Sequence, residues 1–110
     1  MKLQLMYRRY QLGELQKTKK GYEYSSEISN EQILKKEYLL TDSEYSLWDS
    51  YKKVSDKLFK EFQEILTNCK REDIMREAGI ISIDSDWIRL VKLSKLTFFT
   101  PGFYVQSIDK

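Results

Sequence analysis

At 110 residues and 13.2 kDa the chain supports one domain with one modest core, not two. A composition of 41% hydrophobic and 33% charged residues excludes wholesale disorder, and a net charge of +2, from 19 basic and 17 acidic residues, is too balanced to announce a nucleic-acid binder. The absence of histidine removes Ser-His and Cys-His catalysis and imidazole metal ligation, and the single Cys69 can form neither an internal disulfide nor a thiolate zinc site.

Taken in chain order, residues 3–26 predict a β-meander. Leu3, Leu5 and Tyr7 alternate with Gln4, Met6 and Arg8, the period of a half-buried strand. Leu12 and Leu15 flank Gly13 in a second strand. The polar run Lys17-Thr18-Lys19-Lys20-Gly21 is a turn, and Tyr22 and Tyr24 share one face of a third strand. Ser29 and Gln32 have capping-box spacing and introduce a short helix through Ile33 and Leu34. A second box, Thr41-Asp42-Ser43-Glu44, predicts the longest helix, from about Glu44 to Thr67. Its apolar stripe runs through Leu47, Trp48, Tyr51, Val54, Leu58, Phe62, Ile65 and Leu66, with Phe59 on the margin.

A third helix is expected over Arg71 to Ala78, ended by Gly79 in the left-handed position. Asp84 or Ser85 caps a fourth, with Trp87, Leu90, Val91 and Ser94 along one face. Phe98 and Phe99 start a short strand, Thr100-Pro101-Gly102 turns, and Phe103 to Gln106 form a strand that can rejoin the sheet. The fold class is therefore α+β: a small antiparallel sheet or partial barrel, made of the N-terminal meander plus a C-terminal strand. It is packed with three to four helices, one of them long, and residues 1–110 form a single domain.

No residue pattern announces catalysis. The acid pairs Glu72/Asp73 and Asp84/Asp86 sit at helix starts, where the macrodipole favours negative charge. No Gly-rich phosphate loop is present, and Asp84-Ser85-Asp86 lacks the glycine and terminal glutamate of a calcium loop. No catalytic residue, cofactor or metal site is expected. The N-terminus lacks the apolar core of a signal peptide, and no stretch approaches the roughly 18 apolar residues of a membrane span, so the expectation is a cytoplasmic protein without membrane contact. Lys17, Lys19 and Lys20 beside Tyr22 and Tyr24 superficially suit a base-stacking sheet, but a solvated hairpin tip in front of core tyrosines is the plainer reading. Cys69 beside Lys70 and Arg71 reads as a packing residue. Trp48, near a helix start, is the tryptophan expected to protrude, and Trp is the residue type most enriched at binding hot spots.

Two stretches together resemble the N-terminal subdomain of HipA-type serine/threonine kinases. The first is Leu12-Gly13-Glu14-Leu15 followed by Lys20-Gly21-Tyr22-Glu23-Tyr24. The second aligns Phe62, Ile65 and Leu66, then Ala78-Gly79-Ile80 and Ser82, then Asp84, Asp86, Trp87 and Leu90, and finally Thr100-Pro101-Gly102. Two departures stand out: Thr67-Asn68-Cys69 replaces a Pro-Glu-Gly loop, and the Ser-Leu-Pro segment before the long helix has no counterpart. The chain carries no equivalent of the family's ATP-binding lysine, catalytic loop or metal-binding acid. The resemblance thus implies a HipS-like antitoxin of a three-gene HipBST-type toxin–antitoxin system. Such a protein is not an enzyme; it docks on and inhibits a HipA- or HipT-like kinase, and touches a HipB-like DNA-binding protein only through the complex. Expected contacts are Trp48 and the loop Leu66, Thr67, Asn68, Cys69, Lys70 and Arg71. Two alternatives remain: a small nucleic-acid-binding module using Lys17 to Lys20, and an accessory subunit completing a split kinase.

Overall fold

The computed structural model describes residues 2–96 and 102–107. Phe98, Phe99, Thr100 and Pro101, and with them the strand start and most of the turn expected there, lie outside the described residues.

The fold is α+β: among the described residues, an open five-stranded antiparallel sheet with four helices. Strand β1 (Lys2–Tyr7) pairs with β2 (Tyr10–Lys17) through a two-residue turn in which Arg8 takes a left-handed conformation, φ 56°. Leu5 lies opposite Gly13 and Met6 opposite Gln11, so a bulge at Leu12 inserts one extra residue into β2. Strand β3 (Tyr22–Ser26) follows a turn closed by Thr18 N–H to the Gly21 carbonyl and Gly21 N–H to Thr18 Oγ1. Leu3, Leu5, Tyr7, Leu15, Tyr22 and Tyr24 are buried in one core, as the alternation expects, but Met6, which the same alternation set apart from Leu5 and Tyr7, is buried too, next to the bulge. Gly13 has a packing reason. A Cβ there would collide with the Tyr24 ring and the Ser25 carbonyl, so its bare backbone lets the tyrosine lie across β2.

Helix α1 (Ile28–Lys36) begins one residue before Ser29, with Glu27 at its N-cap and no side-chain cap bond. The expected Ser29 box therefore does not form; Glu27 N–H bonds to the Leu12 carbonyl and Asn30 Nδ2 to the Gln11 carbonyl instead, which dock the helix onto β2.

The long helix expected from Glu44 to Thr67 does not exist. Residues 41–50 carry neither helix nor strand, β4 (Lys53–Ser55) adds an edge strand beside β3, and only Lys60–Asn68 is helical, as α2. Thr41 and Glu44 do engage, Thr41 N–H donating to Glu44 Oε1, but they close a single turn. Serines divert the backbone: Ser50 Oγ and Ser26 Oγ both donate to the Leu47 carbonyl, and Ser50 N–H donates to Ser26 Oγ. Asp49 sits at φ 55°, which no helix interior accepts. The apolar stripe splits accordingly. Leu47, Leu58, Phe59, Phe62 and Ile65 are buried, whereas Tyr51 is 80% and Val54 64% exposed.

The two later helices follow the expected signals. Helix α3 (Glu72–Ala78) ends at Gly79 with φ 75°, with Gly79 N–H bonding to Arg76 and Ile80 N–H to Met75. Helix α4 (Asp86–Leu93) is capped by Ser85 Oγ, which accepts from Ile88 N–H. The loop between them is tied by Asp84, whose carboxylate accepts from Lys92 Nζ at 2.7 Å and from Ile81 N–H. Those bonds hold its carboxyl below the usual carboxylate range, the Lys92 hydrogen bond being the largest cause. Strand β5 (Phe103–Ser107) pairs antiparallel with β1, giving the order β4-β3-β2-β1-β5. Leu34, Phe62, Ile65, Leu90 and Leu93 bring α1, α2 and α4 into the same core as the sheet. Among the described residues no helix is long and apolar enough to cross a membrane.

Candidate partner-binding site

Helical spacing puts Glu31, Leu34 and Lys35 on one side of α1. Leu34 enters the core, and Glu31 follows it inward until its residue is 1% exposed. A carboxylate at that depth needs hydrogen-bond donors. Tyr45 Oη donates to Glu31 Oε2, and Asp49 N–H donates to Oε1 at 3.0 Å. Because Tyr45 spends its proton on Glu31, it accepts from Tyr24 Oη at 2.9 Å. Burial is the main reason both phenols are pushed far above their ordinary pKa; the neighbouring phenol adds to the effect for Tyr45, and the Glu31 and Glu61 carboxylates add to it for Tyr24. Both hydroxyls therefore stay protonated, and the chain Tyr24–Tyr45–Glu31 is a fixed strut rather than a proton relay.

A second carboxylate works on the other side of the same segment. Glu61, on α2 and fully buried, accepts from Ser46 N–H at 2.7 Å and Ser46 Oγ at 2.9 Å through Oε2, while its Oε1 has no partner among the described residues. Residues 45–49 are thus pinned from two helices at once, and the left-handed Asp49 turns the chain outward after Trp48.

Trp48 stands half-buried at this corner. Its ring packs edge-on against Tyr45 at 4.8 Å, and Lys35 Nζ lies 5.5 Å over its face. The indole N–H is buried and has no partner among the described residues. Beside it opens a cleft of ≈ 430 Å³ lined by Glu31, Gln32, Lys35, Lys36, Trp48 and Asp49. Glu31, 1% exposed, borders the cleft from its buried side, whereas the two lysines, Gln32 and Asp49 are exposed.

Trp48 and the second predicted contact segment do not share a cavity. Leu66 packs half-buried against the core, Thr67 Oγ1 bonds back to the Gln63 carbonyl, and Arg71 pairs with Asp73 at 3.2 Å on the surface. Lys70 is exposed. Asn68 borders a different depression, between Glu44, Glu64 and Phe103. Cys69 is 7% exposed among Ile65, Leu93 and Val105, and burial raises its thiol pKa, the opposite of an activated thiol. The hairpin lysines are also placed: Lys17 folds over the Tyr22 ring at 5.0 Å, and the Tyr22 and Tyr24 rings are in the core, unavailable for stacking on bases. Among the described residues no group of three or more Cys, Asp or Glu gathers as a metal site.

Sequence reasoning did not find Glu31 or Glu61. Their only signal was position: Glu31 precedes the core residue Leu34 by three, and Glu61 precedes Ile65 by four. Comparison with protein-family models, curated proteins and solved structures found no match.

Proposed function

We propose that this chain acts by binding rather than by catalysis, docking on a partner protein through the surface built around Trp48. The observation that carries this reading is Trp48 itself. It is a large aromatic packed edge-on against Tyr45 beside an open cleft, with a buried indole N–H that has no partner among the described residues. The resemblance in Leu12 to Leu15, Lys20 to Tyr24 and Phe62 to Gly102 makes a HipA-family serine/threonine kinase the partner to try first. In that setting the protein is a cytoplasmic HipS-like antitoxin. It holds the kinase in an unproductive state and meets a HipB-like DNA-binding protein only through the complex.

The test is co-purification with a short HipA-like kinase from a neighbouring reading frame, followed by autophosphorylation with and without this protein. A stable complex with reduced phosphorylation is the expected result. Increased phosphorylation would make the chain an accessory subunit of a split kinase, and no complex would end the kinase reading. Trp48→Ala is expected to weaken the complex about tenfold or more; affinity within a factor of two of the parent would remove Trp48 as the anchor.

A further inference from the structure

We propose that β4 is a self-association edge, on which a second copy of this chain adds its own β4 antiparallel about a two-fold axis at Val54, continuing the sheet from one copy into the other. Strand β4 ends the sheet order, so its outer side carries no strand of this chain among the described residues. Its surroundings are open to solvent: Val54 is 64% exposed, and Lys52, Lys53, Asp56 and Lys57 are exposed with it. Of these charges Lys52 has an ion pair, with Glu23 at 3.7 Å; Lys53, Asp56 and Lys57 have none among the described residues. Pairing with β3 fixes the faces. Lys53 and Ser55 lie opposite the core residues Tyr24 and Tyr22, whereas Val54 lies opposite Glu23, on the face away from the core.

The charge pattern of this edge fits a second copy in one register. Cross-strand neighbours in an antiparallel sheet share a face, so a two-fold pairing of β4 with itself places its axis on a residue, not between two. The three residues of β4 offer three axes. Centred on Lys53, the pairing sets Lys53 against Lys53. Centred on Ser55, it sets Val54 against Asp56 and Lys53 against Lys57. Centred on Val54, it sets Val54 against Val54, Lys53 against Ser55 and Lys52 against Asp56. Only the last opposes no like charges, and it gives each Asp56 carboxylate a lysine of the other copy. Lys52 then lies between Glu23 of its own copy and Asp56 of the other. Lysine on an edge strand ordinarily blocks pairing; here Lys53 blocks the two wrong registers and leaves the third. The contact is isologous, so it closes at two copies. A strand of three residues makes an interface at the small, transient end, below about 1,200 Å². Each dimer carries two Trp48 surfaces, so a partner with two sites of its own is held bivalently.

The experiment is sedimentation equilibrium of the full chain alone, so its outcome is independent of the docking reading. The weight-average mass is expected to rise with concentration from 13.2 kDa toward twice that value and no further. Lys52→Asp and Asp56→Lys, both at exposed positions, are each expected to weaken the dimer about fivefold or more by opposing like charges, and the two changes in one chain to restore it. Oxidative cross-linking reads the register. Val54→Cys is expected to form a covalent dimer about tenfold faster than Lys53→Cys, because only the axis residue meets its own copy within disulfide reach. The parent chain, whose Cys69 is buried, supplies the background. A chain still monomeric at about 1 mM overturns the proposal, and the edge then belongs to a strand of another protein or to none. A mass that rises past two copies, a dimer indifferent to both charge reversals, or equal cross-linking at the two positions overturns it as well.

Discussion

The meander of β1 to β3 and the irregular residues 41–50 both send tyrosines and leucines into the same core, yet different bonds hold them. The meander satisfies its backbone with its own ladder, strand to strand, in an almost unbroken register. Residues 41–50 have little ladder of their own. Their N–H groups at Ser46 and Asp49, and the Tyr45 hydroxyl, are met by two glutamates contributed from helices on either side. The contrast teaches that a backbone-paired region spreads its stability over many equivalent bonds, whereas a region pinned by side chains concentrates it in a few groups that single substitutions or protons can reach.

The largest expected effect of that difference is at Glu31. Glu31→Leu abandons the Tyr45 hydroxyl and the Asp49 N–H, at roughly 1–3 kcal/mol for each buried group left unpaired. Urea unfolding should show that loss, while Gln16→Thr on the exposed face of β2 should stay within about 0.5 kcal/mol. Equal effects at the two sites would erase the distinction.

Alkaline pH reaches the same strut from another direction. Tyr24 and Tyr45 have folded pKa values raised above their unfolded value near 10, so their contribution is fully present below pH 10 and is lost as pH rises. The loss should be about 1.4 kcal/mol per pH unit for each hydroxyl above that point. Phenolate absorbance at 295 nm should show these two of the eight tyrosines ionising only as circular dichroism reports unfolding. Smooth ionisation of all eight in the folded protein would contradict the buried strut.

Gly13→Ala tests whether the two regions are mechanically joined. The new methyl group meets the Tyr24 ring, and displacing that ring lengthens its bond to Tyr45. A cost of about 1–3 kcal/mol is expected from the overpacking. The indole signal of Trp48 should move although the substitution lies on β2; an unmoved signal would mean that the meander absorbs the strain alone. Ser46→Ala is the smallest change. It removes one hydroxyl donor to Glu61 but keeps the Ser46 N–H, and thermal unfolding should register about 1 kcal/mol.

How much of this was legible in the sequence follows the same division. Period-two alternation in Leu3, Leu5 and Tyr7 and in Tyr22 and Tyr24 located the sheet, and Gly79 and Ser85 marked real helix ends, because each signal is local. Residues 47–66 misled because three- and four-residue spacing is a local signal too. Here it was overridden by a fourth strand pairing with β3 and by serine side chains competing for the backbone. Of the candidate site, Trp48 could be picked out as a residue type, but its support could not. Nothing local tells that Glu31 and Glu61 would face residues that join them only through the tertiary fold.

Strand β1 lies between β2, its neighbour in the chain, and β5, far from it in sequence; the Tyr104 hydroxyl bonds to the Arg8 carbonyl across a separation of 96 residues. During synthesis on the ribosome the first hairpin can therefore close early, while the other edge of β1 stays unpaired until β5 has been made and has emerged. Closure of the sheet therefore waits on residues 103–107, and until they arrive the unpaired edge of β1 is a place for mispairing.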